Sequence, residues 1–151
     1  MSDEPLRLVL FDFDGTLCDS ASTIIRLMKQ ACNQSGLPVP LDNVVRGNIG
    51  HGVSDAALLY ADGDMEKATH LADTYRQMAR DEYLGGQPPL DPLFDGAKKV
   101  LSNLQTEGYL TGVVTNKSRT GLDSLLGRHG LDELLDVSIS ADDCMVKPAP
   151  D

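Results

Sequence analysis

Two carboxylates follow directly after a short apolar run near the N-terminus. The run is Leu8 to Phe11, and Asp12 and Asp14 come next, with Gly15 behind them. An apolar run of this length predicts a strand buried on both faces. Residues at i and i+2 of an extended chain point to the same side. Because two like charges at the end of a buried strand are costly as a structural device, the pattern favours a site that binds a cation and does chemistry.

This pair of carboxylates suits phosphoryl chemistry. An aspartate is ionised at neutral pH unless its surroundings perturb it, and aspartates serve as covalent nucleophiles toward phosphoryl groups. Asp12 is therefore the candidate nucleophile. Because two close carboxylates favour one of them holding a proton, Asp14 is the candidate general acid and base. A divalent cation would offset the repulsion, and hard oxygen ligands suit Mg²⁺. The alternative is an acidic strand-to-helix turn with Asp19 or Ser20 as an N-cap.

The rest of the chain predicts elements that alternate after a central break. Residues 1–5 read as a polar lead-in, and Gly85-Gly86-Gln87-Pro88-Pro89 is the strongest linker signal. Apolar periodicity predicts helices at about 20–35, 53–61, 65–83, 96–107 and 118–128, and further strands at 109–114 and 134–139. Strands separated by helices imply a parallel α/β sheet, in which ligands bind beyond the carboxyl ends of the strands. The stretch 41–52 is short and broken by glycines.

The residues Asp12-Phe13-Asp14-Gly15-Thr16 resemble the D-x-D-G-T motif of the haloacid dehalogenase superfamily. The resemblance implies an α/β, parallel Rossmann-like core of about three strands with an inserted α-helical cap. The core would comprise residues 1–17 and 88–151, and the cap residues 18–87. It also implies that the Asp12 side chain and the Asp14 carbonyl hold Mg²⁺. Members that cleave halides lack the second aspartate, so Asp14 favours the phosphatase and mutase branch, and Thr16 leans toward phosphatases.

Two later stretches resemble further motifs of the same family. Val113-Val114-Thr115-Asn116 is an apolar strand ending in threonine, and the resemblance implies that the Thr115 hydroxyl and the Asn116 backbone amide hold phosphate oxygens. Lys147, in Val-Lys-Pro-Ala-Pro-Asp, would neutralise the nucleophile and the transferring phosphoryl group. The alternatives are an ordinary threonine at a strand end and a solvated surface lysine.

A glycine-rich loop of the helical insertion resembles the I-G-x-G cap loop of phosphoglycolate-phosphatase-like members. It contains Gly50, His51 and Gly52, and Arg46 precedes it as a possible contact for a substrate anion. The alternative is a helix–helix turn with glycine caps and a solvated histidine. The pair Asp142-Asp143 could lie at the mouth of the site, cap a helix or form a solvated loop.

The family's fourth motif, an acidic cluster of the type G-D-x-x-x-D, has no counterpart here. In the family's sheet the first strand is central, so we expect one edge of that strand to be unpaired. We also expect the 151 residues to be a truncated piece of a longer enzyme, or a chain completed by another molecule.

Composition narrows the class of partner. With 13 Lys and Arg against 23 Asp and Glu, the formal net charge is -10, which argues against nucleic acid and anionic membranes. No apolar run reaches the length of a membrane span. The three cysteines, Cys18, Cys32 and Cys144, are widely spaced and predict free thiols in a reducing cytoplasm.

Taken together, the resemblance implies a magnesium-dependent phosphomonoester hydrolase. Its substrate would be a small phosphorylated metabolite like phosphoglycolate, cleaved through a phosphoaspartate at Asp12. Two alternatives stay open, namely a sugar phosphomutase of the same superfamily and a non-catalytic fragment or interaction module. The oligomeric state is open as well.

Overall fold

A three-stranded parallel sheet carries the candidate residues. The computed structural model describes residues 5–150, so the start of the polar lead-in and the last residue of the Lys147 motif lie outside it. Within it β1 (Leu8–Phe11) pairs with β2 (Leu110–Val114), and β2 pairs with β3 (Val137–Ile139). The order β1-β2-β3 is parallel throughout, which confirms the predicted α/β sheet and brings the carboxyl ends of the strands to one edge.

The described residues also form six helices. They are α1 (Ala21–Gln34), α2 (Asp42–Gly47), α3 (Val53–Tyr60), α4 (Met65–Leu84), α5 (Ala97–Thr106) and α6 (Arg119–His129). The predicted helices are confirmed, but the stretch 41–52 contains the short helix α2, whose six residues are too few to show a helical period. The third strand begins later than predicted because Asp132–Leu134 forms a 3-10 turn. None of the described helices is both long and apolar enough to cross a bilayer.

Buried side chains divide into two clusters. One lies against the sheet and includes Phe13, Leu101 and Leu122, all fully buried. The other lies among α1 to α4 and includes Ala31 and Leu71. A buried leucine or phenylalanine contributes about 1.5–3 kcal/mol relative to leaving it exposed, so each cluster is a substantial source of stability.

The prediction that β1 is buried on both faces is wrong. Leu8 and Leu10 are each 52% exposed, whereas Val9 and Phe11 on the opposite face are half-buried. β1 is an edge strand in the described sheet, and only the face of Phe11 packs against the sheet cluster. The expected unpaired edge of β1 is therefore observed among the described residues.

The chain passes twice between the sheet and the helical insertion, and the two passages are bonded together. The Asp19 amide donates to the Pro92 carbonyl at 2.8 Å, and the Phe94 amide donates to the Leu17 carbonyl at 3.0 Å. The Thr23 hydroxyl donates to Asp91 Oδ1 at 2.6 Å. These bonds fix the start of α1 directly after the loop that carries the two aspartates.

Candidate active site

The loop after β1 is a compact turn built on a buried phenylalanine. The Phe13 carbonyl accepts the amides of Thr16, Leu17 and Cys18 at 3.2, 3.0 and 3.0 Å. Gly15 has a φ of +80°, a conformation that side chains with a Cβ rarely adopt. The turn leaves Asp12 and Asp14, one on each side of Phe13, lining the same cavity.

This cavity has a volume of about 280 Å³ and lies between the strand ends and helices α1 to α4. The sheet side contributes the polar groups of Asp12, Asp14, Thr115, Asn116 and Lys117. The helical side is largely apolar and aromatic, and its lining includes Ile24, Leu27, Met28, Tyr60, Tyr75 and Tyr83. In this cavity a small ligand would meet charged and polar groups on the sheet side and a largely apolar surface, here called the roof, on the helical side.

Asp12 lies beside a lysine ammonium. Its Oδ1 accepts the Phe13 amide at 2.7 Å and lies 3.1 Å from Lys147 Nζ. Lys147 Nζ also donates to the Val114 carbonyl at 3.0 Å, so the end of β2 aims the ammonium at Asp12. No described residue donates a hydrogen bond to Asp12 Oδ2, which leaves that oxygen available to a ligand.

Asp14 is held by two donors on one oxygen. Ser20 Oγ donates to Asp14 Oδ1 at 2.5 Å, and Lys117 Nζ lies 3.2 Å from the same atom. Ser20 is at the N-cap of α1, but its side chain makes no capping bond, so the alternative of a plain helix cap is wrong for this hydroxyl. Burial is the largest single influence on the pKa of the Lys117 ammonium and lowers it, but Asp14, Tyr83 and Tyr75 together outweigh burial and raise the pKa above its ordinary value.

Thr115 is oriented toward the cavity by the residue that follows Asn116. Its Oγ1 accepts the Lys117 amide at 3.1 Å, so the hydroxyl proton is free to point to another acceptor. Thr115 is 4% exposed and lines the cavity, where an anionic oxygen would be that acceptor.

The Asn116 side chain joins two loops. Its Nδ2 donates to the carbonyls of Gly50 at 3.0 Å and Lys147 at 3.2 Å, and its Oδ1 accepts the Lys147 amide at 2.7 Å. The side chain is thus committed to structure, and only the backbone amide of Asn116 is left for the predicted phosphate contact.

Only some of the candidate residues in and before the glycine-rich loop line the cavity. Gly50 and His51 line the cavity, and a Cβ on Gly50 would lie 3.9 Å from Asp12 Oδ2. Gly52 is buried and does not line the cavity, and a Cβ there would lie 3.3 Å from Asp55 Oδ2 and 3.4 Å from Val146 Cγ2. Arg46 is exposed on α2 and does not line the cavity, so its contact with a substrate stays a prediction.

One carboxylate of the acidic pair, Asp142, lines the cavity and caps the start of α6, whereas the other, Asp143, bonds the loop before it. Asp142 lines the cavity and its Oδ2 accepts the Arg119 amide at the start of α6, at 2.7 Å. Asp143 accepts the Ser140 amide at 2.7 Å and forms an ion pair with Arg119. The Ser140 amide and the Arg119 guanidinium lower the pKa of the Asp143 carboxyl to about 2.

Asp143 should make folding more resistant to acid. Its pKa is about 2 in the folded chain against an ordinary 3.8, so its stabilisation is complete above pH 3.8 and disappears as pH falls toward 2. We expect Asp143→Asn to lower the free energy of unfolding at neutral pH, with the deficit shrinking across that window. Urea unfolding at a series of pH values measures it.

A matched control for this prediction is Asp123→Asn, which removes another carboxylate that contacts Arg119, at 3.1 Å, but touches no Ser140 amide. A deficit of Asp143→Asn that stayed constant between neutral pH and pH 2 would contradict the assignment.

Several cavity residues were not predicted from the sequence. Lys117 directly follows the Thr115-Asn116 pair, and that position was the available signal. The spacing of Tyr75 predicts only that it lies on the buried face of α4, because an aromatic residue at helical spacing looks the same whether it lines a core or a cavity. Burial raises the pKa of the Tyr75 and Tyr83 hydroxyls, which keeps them as neutral donors. Arg76 and Arg80 of α4 also line the cavity.

Comparison with known proteins agrees with this geometry. The haloacid dehalogenase-like hydrolase family model matches residues 9–151. Phosphoglycolate phosphatase of Yersinia pestis is 34% identical, and the match covers 96% of this chain and 64% of that protein. Tyrosine-protein kinase PtkA of Mycobacterium tuberculosis is 31% identical over 138 residues, which cover 91% of this chain and 45% of that protein.

A solved structure shares the fold. The crystal structure of a predicted phosphatase from Clostridium acetobutylicum has a TM-score of 0.78 at 26% identity, covering 95% of this chain and 65% of that one. The chain therefore spans about half to two thirds of the length of these relatives. The match over residues 9–151 contains the aspartate loop, Thr115 and Lys147 together. The chain belongs to the haloacid dehalogenase-like hydrolases.

Proposed function

We propose that this protein hydrolyses the phosphomonoester of a small metabolite through a covalent phosphoaspartate at Asp12. One observation carries the proposal: Asp12 and Asp14 line one cavity, with Lys147 Nζ 3.1 Å from Asp12 Oδ1 and no described donor on Asp12 Oδ2. The phosphoglycolate phosphatase relative from Yersinia pestis supports the choice of reaction.

In the first step Asp12 Oδ2 attacks phosphorus and the bond from phosphorus to the ester oxygen breaks. The leaving alkoxide takes a proton from Asp14, which therefore enters the step protonated. Lys147 and the Thr115 hydroxyl offset the charge that the phosphoryl oxygens carry during transfer. The products are the alcohol and a phosphoryl group bonded to Asp12.

In the second step water attacks the same phosphorus and the bond to the Asp12 oxygen breaks. Asp14, now a carboxylate, takes the proton from that water, so that both aspartates return to their starting forms and inorganic phosphate leaves. A substrate whose leaving group is a poor one needs the proton of Asp14, whereas a halide does not. The presence of Asp14 in the cavity thus supports phosphomonoester chemistry over dehalogenation.

Magnesium fits the donors that the site offers. The ion binds through one or two carboxylates and completes its shell with phosphate oxygens and water. The Asp12 carboxylate and the Asp14 backbone carbonyl would hold it, and the described residues contain no cluster of three or more His, Cys, Asp or Glu side chains for a fuller protein cage. When bound, it would withdraw charge from the transferring phosphoryl group.

The helical insertion is proposed as a cap over this site, with boundaries at residues 18–87. A separate cluster of buried side chains among α1 to α4 supports this division, and the bonds from Asn116 to the Gly50 carbonyl and from Asp19 to the Pro92 carbonyl tie the insertion to the core. The apolar roof of the cavity would exclude water from the reacting groups while substrate is bound.

Phosphate release tests the proposal. The purified chain is incubated with 2-phosphoglycolate, a hexose phosphate and p-nitrophenyl phosphate, each with Mg²⁺, with EDTA, and with Mg²⁺ restored. We expect inorganic phosphate from at least one ester, loss of release with EDTA and recovery with Mg²⁺. Asp12→Asn, purified in parallel, controls for contaminating phosphatases. Phosphate release by this control equal to that of the wild type would contradict the proposal, and isomerisation of the hexose phosphate without phosphate release would favour a mutase.

A further inference from the structure

Lys117 is a buried lysine whose ammonium lies between the aspartate loop and helix α4. Its side chain is 7% exposed, and Nζ lies 3.2 Å from Asp14 Oδ1. On its other side Nζ lies 5.1 Å from the centroid of the Tyr83 ring, within reach of a cation–π contact. Tyr83 belongs to the last turn of α4, so one ammonium touches both the sheet side and the helical side of the cavity.

We propose that Lys117 is a positioning residue that fixes the Asp14 carboxylate by one oxygen and links its position to α4 through Tyr83. The proposal deepens the hydrolase proposed above and rests on it, since it concerns the proton that Asp14 gives to the leaving group. Neither the family match nor the names of the relatives assign a role to this lysine.

The contacts of Asp14 define which oxygen faces the substrate. Both donors, Ser20 Oγ at 2.5 Å and Lys117 Nζ at 3.2 Å, act on Oδ1. Among the described residues nothing donates to Oδ2, so Oδ2 is the oxygen left to transfer a proton. Without the ammonium only the Ser20 hydroxyl would hold Asp14, and the carboxylate could rotate about that single bond.

The backbone of Lys117 is itself fixed to the sheet side. Its amide donates to Thr115 Oγ1 at 3.1 Å, and its carbonyl accepts the Ala141 amide at 3.0 Å. The backbone of the lysine is therefore fixed, so a shift of Tyr83 on α4 would move the ammonium and not the loop.

A glycine on α6 provides the space for this contact. A Cβ on Gly121 would lie 3.1 Å from Lys117 Cε and 3.1 Å from Tyr83 Cε2, closer than side chains normally approach. Alanine is a better helix former than glycine, so a purely local view favours alanine at this position. The glycine instead leaves room for the lysine stem and the tyrosine ring to meet.

The first test compares two esters in Lys117→Met, which keeps the length and apolar stem of the side chain. An alkyl ester such as 2-phosphoglycolate needs a proton on its leaving oxygen, whereas 2,4-dinitrophenyl phosphate does not. A positioned general acid contributes ~10²–10⁴-fold, so we expect the loss in kcat/KM to be about 10²-fold larger for the alkyl ester than for the aryl ester. Asp14→Asn should show the same bias, and Gly121→Ala a weaker form of it.

The control is Lys98→Met, which removes an exposed lysine whose Nζ donates to the His129 carbonyl, outside the cavity lining. It should change neither rate. Equal losses for the two esters in Lys117→Met would overturn the positioning role and leave a general structural one. A wild type that hydrolyses neither ester would instead count against the proposed function.

The second test does not depend on turnover. Crystal structures of the wild type and of Lys117→Met are compared. In the variant, which lacks the ammonium, Asp14 should adopt a rotamer that differs from the wild-type one, or several rotamers. An Asp14 carboxylate that superposes on its wild-type position in Lys117→Met would overturn the proposal whatever the kinetics give.

Discussion

Asparagine in place of Asp12 should lower kcat/KM for phosphomonoester hydrolysis by ~10³-fold or more, because a neutral amide cannot form the covalent intermediate. The substitution keeps the size of the side chain, and its Oδ1 can still accept the Phe13 amide that Asp12 accepts at 2.7 Å. The loss should therefore come from chemistry, with little change in the free energy of unfolding. Steady-state phosphate release with the alkyl and aryl esters, combined with urea unfolding, measures both.

Asp123→Asn is the matched control, since Asp123 is an exposed carboxylate on α6 that contacts only Arg119 among its described ion pairs. It should retain the wild-type rate. Activity of Asp12→Asn within a few fold of the wild type would rule out Asp12 as the nucleophile, and equal losses in the two variants would point to a general effect of charge.

Methionine in place of Lys147 should lower kcat/KM by ~10²–10³-fold, because it removes the preorganised cation that lies beside the Asp12 carboxylate. Lys147 Nζ lies 3.1 Å from Asp12 Oδ1, and the formal net charge of the chain is -10, so this lysine offsets part of the repulsion that a phosphate dianion meets at the Asp12 carboxylate. Product inhibition by inorganic phosphate should weaken in parallel. Both changes are read from initial rates at a series of phosphate concentrations.

The effect of Lys147→Met on stability should be small by comparison. The two side chains of the ion pair are 33% and 31% exposed, so solvent screens their attraction in the resting state. Lys99→Met, on the exposed face of α5, provides the control for loss of one positive charge. Unchanged inhibition by phosphate in Lys147→Met would contradict the assignment of this lysine to the phosphoryl group.

The positions of the strands and helices could be predicted from the sequence more accurately than their burial. The run from Leu8 to Phe11 is a strand, as predicted, but the prediction that it is buried on both faces is wrong, because a strand's burial depends on what packs on either side of it. The sequence of a single strand does not distinguish an edge strand from a central one. Leu8 and Leu10 are consequently exposed.

Side-chain direction was the second limit. Ser20 looked like a helix cap, yet its hydroxyl bonds Asp14 six residues earlier in the chain. Lys117 was visible next to Thr115, but only the fold brings Asp14 and Tyr83 to its ammonium. Arg46 is predicted as a possible contact for a substrate anion, and it lies exposed on α2 outside the cavity lining, whereas Arg76 and Arg80 of α4 line the cavity.

Trapping the phosphoryl group on the chain tests the central claim most directly. The wild type and Asp12→Asn are mixed with substrate and Mg²⁺, quenched in acid during turnover, digested and analysed by mass spectrometry. The account predicts one added phosphoryl group on the wild-type peptide that contains Asp12, at that residue, and none on Asp12→Asn. A phosphoryl group on another residue, or sustained turnover with Asp12 unmodified at every time of quenching, would contradict it.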